Sequence, residues 1–362
     1  MRADLAVYVS GHGYGHATRT RAWLTALRAR EPSRLRIRVR GEAPPAVLSA
    51  GRLGLGCSRA DIDPGVVQPN SLDVDLPASL AVHRALVARW DEAVEREAAW
   101  IAGSGARLLV GDVPPLAFAA AERAGVPSLA VANFGWDWIL ASYAASDPAW
   151  EPVVGCYRRA YAGAALLLRL PLAGGLPGFR RVQEVPLLVN LSRRERPACR
   201  AALGVAPGES RPLVLVSFGG LGGLGVRSAA EDLSDYVFVC CDGPPPRRDG
   251  RWLRVETSDE LPHEDVIHAC DAVIGKPGYG TAAEALAHGV RALCLPRPGF
   301  PEAAPLFAEL SRLGSARSMP RPDFEAGRWR AHLEALFAGP APQPWPLTGG
   351  AEAVAEAVLG RL

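Results

Sequence analysis

The chain reads as an α/β protein built on two parallel sheets flanked by helices. Three observations predict this. Short apolar runs alternate with helix-length patterns in both halves. The stretch 170–207 has no long apolar period and separates those halves. The length, 362 residues, is enough for two domains with a core each.

Taken in order, residues 5–9 form a strand, and 17–29 a helix with Trp23, Leu24 and Leu27 on one face. A second strand covers 35–39. Strands at 107–110 and 128–131 flank a helix at 116–124. After the gap, strands are expected at 212–216, 236–241, 272–274 and 291–295, with helices at 226–235 and 281–288. The run PPPRRDG at 244–250 reads as an exposed loop, and 351–359 as a closing helix after Gly349-Gly350.

Composition excludes several classes. Apolar residues are 49% and charged residues 22%, with a net charge of +2. That is an ordinary globular balance, with no basic tract for nucleic acid. The seven cysteines are scattered without a C-x-x-C, which fits reduced thiols in a cytoplasmic protein and neither a disulfide frame nor a zinc site. The first apolar run, 5–9, is too short for a signal sequence, and Arg169 interrupts the best membrane candidate, 164–172.

One lysine stands against 39 arginines, and it lies in GKPGYGT at 275–281. Ala272, Val273 and Ile274 end a buried strand before it, and a helix stopped by Gly289 follows. Strand, glycine loop and helix N-terminus make an anion site, because unpaired N–H groups and the helix dipole point into the loop. Lys276, Gly278, Tyr279, Gly280 and Thr281 are therefore candidate phosphate-site residues, and Glu284, one turn in, a candidate for a ribose diol. A plain strand-to-helix turn with a surface lysine is the competing explanation. The order of residues is not that of a P-loop.

The first strand runs into SGHGYGHATR, 10–19, a loop that should line a ligand site beyond the strand ends. His16 occupies the place of the third glycine of a dinucleotide fingerprint. At a helix start its protonated form is disfavoured, which suits a general base. Gly13 and Gly15 shape the loop, and His12 either acts or packs. Asp112 in LVGDVPP and Asp137 in NFGWDW also end strands and should face the same edge. Either could orient a histidine or take a proton, while Asp112 could instead cap the following helix. In the second half Gly219 and Gly220 end a strand and could face the first loop across a cleft. No D-x-D motif lies at a trusted strand end, so no metal site is expected; Asp61-Ile62-Asp63 and Asp73-Val74-Asp75 fall in a variable region.

Six motifs occur in order: SGHGYGHATR, GDVP at 111–114, NFGWDWI at 133–139, VPLLV at 185–189, FGG at 218–220 and GKPGYGT. Together they resemble the N-terminal, glycosyltransferase-like region of L-arabinokinases, and more distantly the GT-B family that adds GlcNAc to peptidoglycan precursors. The resemblance implies a GT-B fold: two Rossmann-like domains facing across a cleft, with a nucleotide sugar held mainly by the second. It also implies a C-terminal helix returning to the first domain. On that reading residues 1–190 are the acceptor-side domain, 205–345 the nucleotide-sugar domain and 346–362 the returning helix. The kinase domain of arabinokinases is expected to be absent, and with it sugar-kinase activity. Where the family carries an acidic pair before proline, this chain has FPEAAP at 300–305. It keeps Glu302 alone, which points to a different sugar.

The function expected is a metal-independent, inverting glycosyltransferase. It would move a sugar from a UDP- or dTDP-linked donor to a small acceptor, with no other cofactor. His16 would be the base, with Asp112 or Asp137 in support. Two alternatives stay open: an epimerase or hydrolase of a nucleotide sugar, and a non-catalytic sensor of one.

Overall fold

The computed structural model describes residues 3–31, 35–219, 232–241, 247–313, 316–346 and 348–362. Its first sheet contains β1 (Leu5–Val9), β2 (Ile37–Gly41), β3 (Gly56–Ser58), β4 (Leu108–Asp112), β5 (Ser128–Ala132), β6 (Leu166–Arg169) and β7 (Val182–Glu184). The order is β3-β2-β1-β4-β5-β6-β7, parallel throughout. The second sheet contains β8 (Leu213–Val216), β9 (Val237–Cys240), β10 (Arg247–Asp249), β11 (Trp252–Arg254), β12 (Ala272–Gly275), β13 (Arg291–Cys294) and β14 (Ala316–Ser318). Its order is β10-β11-β9-β8-β12-β13-β14, parallel except for the antiparallel edge strand β10. Each sheet reverses its strand order at its centre, between β1 and β4 and between β8 and β12. Ligands of open α/β sheets bind at such points, beyond the carboxyl ends of the strands.

Central strands are buried on both faces, which is why they read as unbroken apolar runs. Leu5, Val7 and Val9 pack with Trp23 and Leu24 of the first helix, Tyr14–Arg30. Ala6, Tyr8 and Leu109 pack on the opposite face with Phe118 and Trp136. The closing helix, Gly350–Leu359, buries Val354, Ala355 and Val358 in the same core as Trp23 and Leu24. It thus returns to the first domain, and Arg30 reaches Glu356 across that contact (2.9 Å).

Several elements differ from the sequence expectation. The first helix begins at Tyr14 because Gly13, at φ 76°, supplies the turn. The gap 170–207 contains β7 and a helix, Arg196–Ala202, beside the helix His263–Ala269. Within 244–250, residues 247–249 form β10. The helix expected at 226–235 lies mostly outside the described residues, as does Gly220.

Candidate active site

A cleft of about 910 Å³ lies between the sheets, lined from the first half by His12, Gly13, Gly15, His16 and Arg19. Across from them stand Gly219, Lys276, Gly278, Tyr279, Gly280, Thr281, Glu284, Arg297 and Glu302. The two loop systems sit close together. A Cβ on Gly280 would come within 3.7 Å of Gly15 Cα, and one on Gly13 within 3.8 Å of the Gly219 carbonyl.

His16 stands in the first turn of its helix, at the β1/β4 reversal, and is buried. Its Nδ1 lies 2.7 Å from Asp112 Oδ1. Asp112 ends β4 and is fully buried. Arg19, one turn beyond His16, donates Nε to Asp112 Oδ2 (2.6 Å), pairs its Nη2 with Oδ1, and donates Nη1 to Asn133 Oδ1 (2.6 Å). Burial works to raise the Asp112 carboxyl, but the charges and hydrogen bonds of Arg19 and His16 outweigh it and hold it below the usual range. An ionised carboxylate can only accept, so its bond to His16 puts the ring proton on Nδ1; Arg19 Nη2 stands 3.0 Å from the same nitrogen, a contact that the opposite tautomer would accept. The Nε2 lone pair is then left for the cleft. Asp112 caps no helix: the cap position of Pro115–Arg123 is Pro114, without a side-chain bond.

Asp137 does not join them. It is fully buried, absent from the cleft wall, and turned towards Arg158 Nε (3.5 Å), Gly178 and Tyr161. Gly135 starts the helix Trp136–Ala144 so that its second residue points back into the first domain. The D-x-D carboxylates are engaged elsewhere: Asp61 with Arg89 (2.6 Å), Asp63 with Trp136 Nε1 (2.9 Å), Asp73 with Arg321 (2.6 Å), and Asp75 capping the helix Leu76–Ala88.

In the second half Lys276 follows β12 at the β8/β12 reversal. Gly278 precedes the helix Tyr279–His288, leaving the first-turn N–H groups of Tyr279, Gly280 and Thr281 at the cleft. Gly219 follows β8 at φ 72°, and a Cβ there would lie 3.7 Å from Lys276 Cε. Burial, then Arg297, push the Lys276 ammonium down to about 7, against the pull of Glu302. Glu284 is buried and already partnered: its Oε2 lies 2.8 Å from His263 Nδ1. Burial opposes both charges, yet the pairing lowers the Glu284 carboxyl and raises the His263 imidazole. Glu302 accepts from Asn133 Nδ2 (2.7 Å), tying the loop after β13 to the first domain.

Four contributors escaped the sequence reading: Arg19, Asn133, His263 and Arg297. Arg19 lies three residues from His16, on one helix face, and Arg297 just beyond a strand end; in a chain of 39 arginines neither stood out.

Two Rossmann-like domains facing across such a cleft define the GT-B fold, and solved glycosyltransferases share it. The calicheamicin glycosyltransferase CalG4 superposes with TM-score 0.59 at 16% identity, over 100% of this chain and 99% of that one. VinC in complex with dTDP gives 0.55 at 17%, over 100% and 95%. Arabidopsis thaliana UGT89C1 complexed with UDP-L-rhamnose gives 0.57 at 15%, over 99% and 94%. In sequence the chain is similar to the L-arabinokinase of Arabidopsis thaliana, with 33% identity over 335 residues. That match covers 91% of this chain and 32% of the relative, so the chain spans about a third of that protein's length. No protein-family profile matches.

Proposed function

We propose that the protein transfers a sugar from a nucleoside-diphosphate donor, UDP- or dTDP-linked, to a hydroxyl of a small acceptor, with inversion. The observation that carries this is the opposition, across one cleft, of the His16–Asp112 pair and the Lys276 loop, each at its sheet's reversal point. His16 Nε2 takes the acceptor proton as the acceptor oxygen attacks the anomeric carbon. Asp112 holds the tautomer and stabilises the imidazolium that forms. The bond from that carbon to the diphosphate breaks with its electron pair. Lys276 and the N–H groups at the start of Tyr279–His288 meet the released charge, a role that needs no metal ion. Glu284, set by His263, accepts from the ribose. CalG4, VinC and UGT89C1 share the fold, and VinC and UGT89C1 carry dTDP and UDP-L-rhamnose in their structures, which supports this choice of donor.

The test is acceptor-dependent release of nucleoside diphosphate from a panel of UDP- and dTDP-sugars, compared with a His16→Ala variant. Release by the wild type that needs an acceptor, and is lost in the variant, is expected. Equal release without acceptor would make the protein a hydrolase, and binding without release a sensor.

A further inference from the structure

Arg297 follows β13 and lines the cleft beyond Lys276. Its guanidinium lies over the Phe300 ring, 4.1 Å from the centroid. The residue is only 6% exposed, yet Nε and Nη2 have no hydrogen-bond partner among the described residues. The other buried arginines of the cleft are matched, Arg19 by Asp112 and Asn133 and Arg21 by Glu264 (2.6 Å). Glu302 bears on Arg297 electrostatically, but its Oε1 is engaged by Asn133. A buried guanidinium without a close anion is unfavourable, and a second cation nearby, Lys276, adds to the cost.

The place matters as much as the charge. The glycine loop, the helix start and Lys276 already meet a diphosphate. Arg297 stands one strand further along the sheet, on Phe300, and Phe300 stacks against His12 of the first domain (5.7 Å between centroids, 14° between planes). In the donor reading above, this is the side of the transferred sugar, between the diphosphate and the first-domain wall. We infer that Arg297 pairs with a carboxylate on that sugar, so that the donor is a nucleoside-diphosphate uronic acid. The planar guanidinium matches a carboxylate with two parallel N–H bonds, whereas a neutral hexose offers hydroxyls alone. Nε and Nη2 are sealed from solvent, so pairing takes a modest turn of the guanidinium over the ring. The bonds made and broken are those of the transfer already described.

This inference rests on the donor reading, and one calorimetric series separates the two. On whichever base binds, uridine or thymidine, the intact chain is titrated with the diphosphate, its glucose conjugate and its glucuronate conjugate. Wild type should hold the glucuronate at least about tenfold more tightly than the glucose conjugate, the scale of one charge-assisted pair. At roughly pH 6, where Lys276 is charged with or without Arg297 beside it, Arg297→Gln should close that gap while leaving the plain diphosphate within about twofold of wild type. Arg297→Lys, which keeps the charge and loses the fork, should retain part of the preference, and its unfolding midpoint reports on folding. Equal binding of the two conjugates by wild type overturns the inference. So does a loss of plain diphosphate in Arg297→Gln as large as that of the glucuronate, which would assign Arg297 to the phosphates. If neither diphosphate binds, the donor reading itself falls and this inference with it.

Discussion

Lys276 holds its charge against its surroundings, and a bound diphosphate should reverse that. Burial and Arg297 bring the ammonium down to about 7. An anion placed against the same nitrogen favours the charged form, so above that value binding takes up a proton. The protonated fraction falls from about three quarters at roughly pH 6.5 to about three hundredths at roughly pH 8.5, so affinity should fall about 25-fold across that range. A nucleotide sugar is the ligand to use, because its diester phosphates keep a constant charge there. Calorimetry in two buffers of different ionisation enthalpy counts the protons, and about one should be taken up at the alkaline end. His263, whose imidazole is raised by Glu284, also lines the cleft, so Lys276→Met is the control: it should lose most of the slope. The same shift sets a stability sign. A lysine lowered on folding penalises the fold fully below about 7, and the penalty fades as pH rises towards the unfolded value of about 10.4. Lys276→Met should therefore melt higher than wild type at roughly pH 6.5 without nucleotide, and gain less from nucleotide. A flat affinity profile in wild type, or an unchanged slope in Lys276→Met, would refute the reasoning.

Three further outcomes follow from the site. His16→Ala should lower turnover on the order of a hundredfold or more while leaving donor affinity nearly unchanged, read by steady-state rates beside calorimetry. Asp112→Asn should slow turnover comparably. It should also destabilise the fold by about 3 kcal/mol or more in denaturant melts, because Arg19 is left buried without its carboxylate. Glu284→Gln should weaken ribonucleotides more than their deoxy analogues in competition binding and lower the His263 imidazole in NMR titration, since the charge that raises it is gone.

The sequence made the centre of each sheet legible and the rim illegible. Strand β1 matched its expected bounds because all five residues are buried and apolar. Strand β7 left no signal, because Val182–Glu184 is exposed throughout and is held by pairing with β6. The run 164–172, weighed as a membrane candidate, contains β6; Arg169 ends that strand and pairs with Glu184 of β7. His16, Asp112 and the Lys276 loop lie at strand ends as expected, because glycines and polar residues right after apolar runs mark such ends. Their partners were harder to find. Whether Asp112 capped a helix or met His16, 96 residues away in the chain, depends on β1 lying beside β4, which strand order decides and local pattern does not. Asp137 misled for the same reason. It too follows a strand end, but the turn at Gly135 sends its side chain inward.

The seam between the halves bears on how substrates enter. Arg21 meets Glu264 (2.6 Å), Asp73 meets Arg321 (2.6 Å), Asn133 meets Glu302 (2.7 Å), and the Tyr143 hydroxyl donates to the Gly299 carbonyl (2.8 Å). Beside these polar bonds run apolar ones, with Phe300 packed among Phe134 and Trp136 of the first half and Leu72 in one cluster with Phe218 of the second. Polar contacts of this kind break at modest cost because water can replace each partner, whereas separating packed cores would expose apolar surface. Parting the halves at the seam therefore exposes Phe300 and Leu72 as well as breaking these bonds. Two seam bonds, from Asn133 and to Gly299, end on the loop that carries Arg297 and Glu302. Opening the cleft must move that loop away from the His12 wall, and closing over a donor must bring it back. Under the proposed function, donor recognition on this loop and closure over the donor should be one movement. A donor that cannot engage the loop should leave His16 in contact with water and without an acceptor aligned against the sugar.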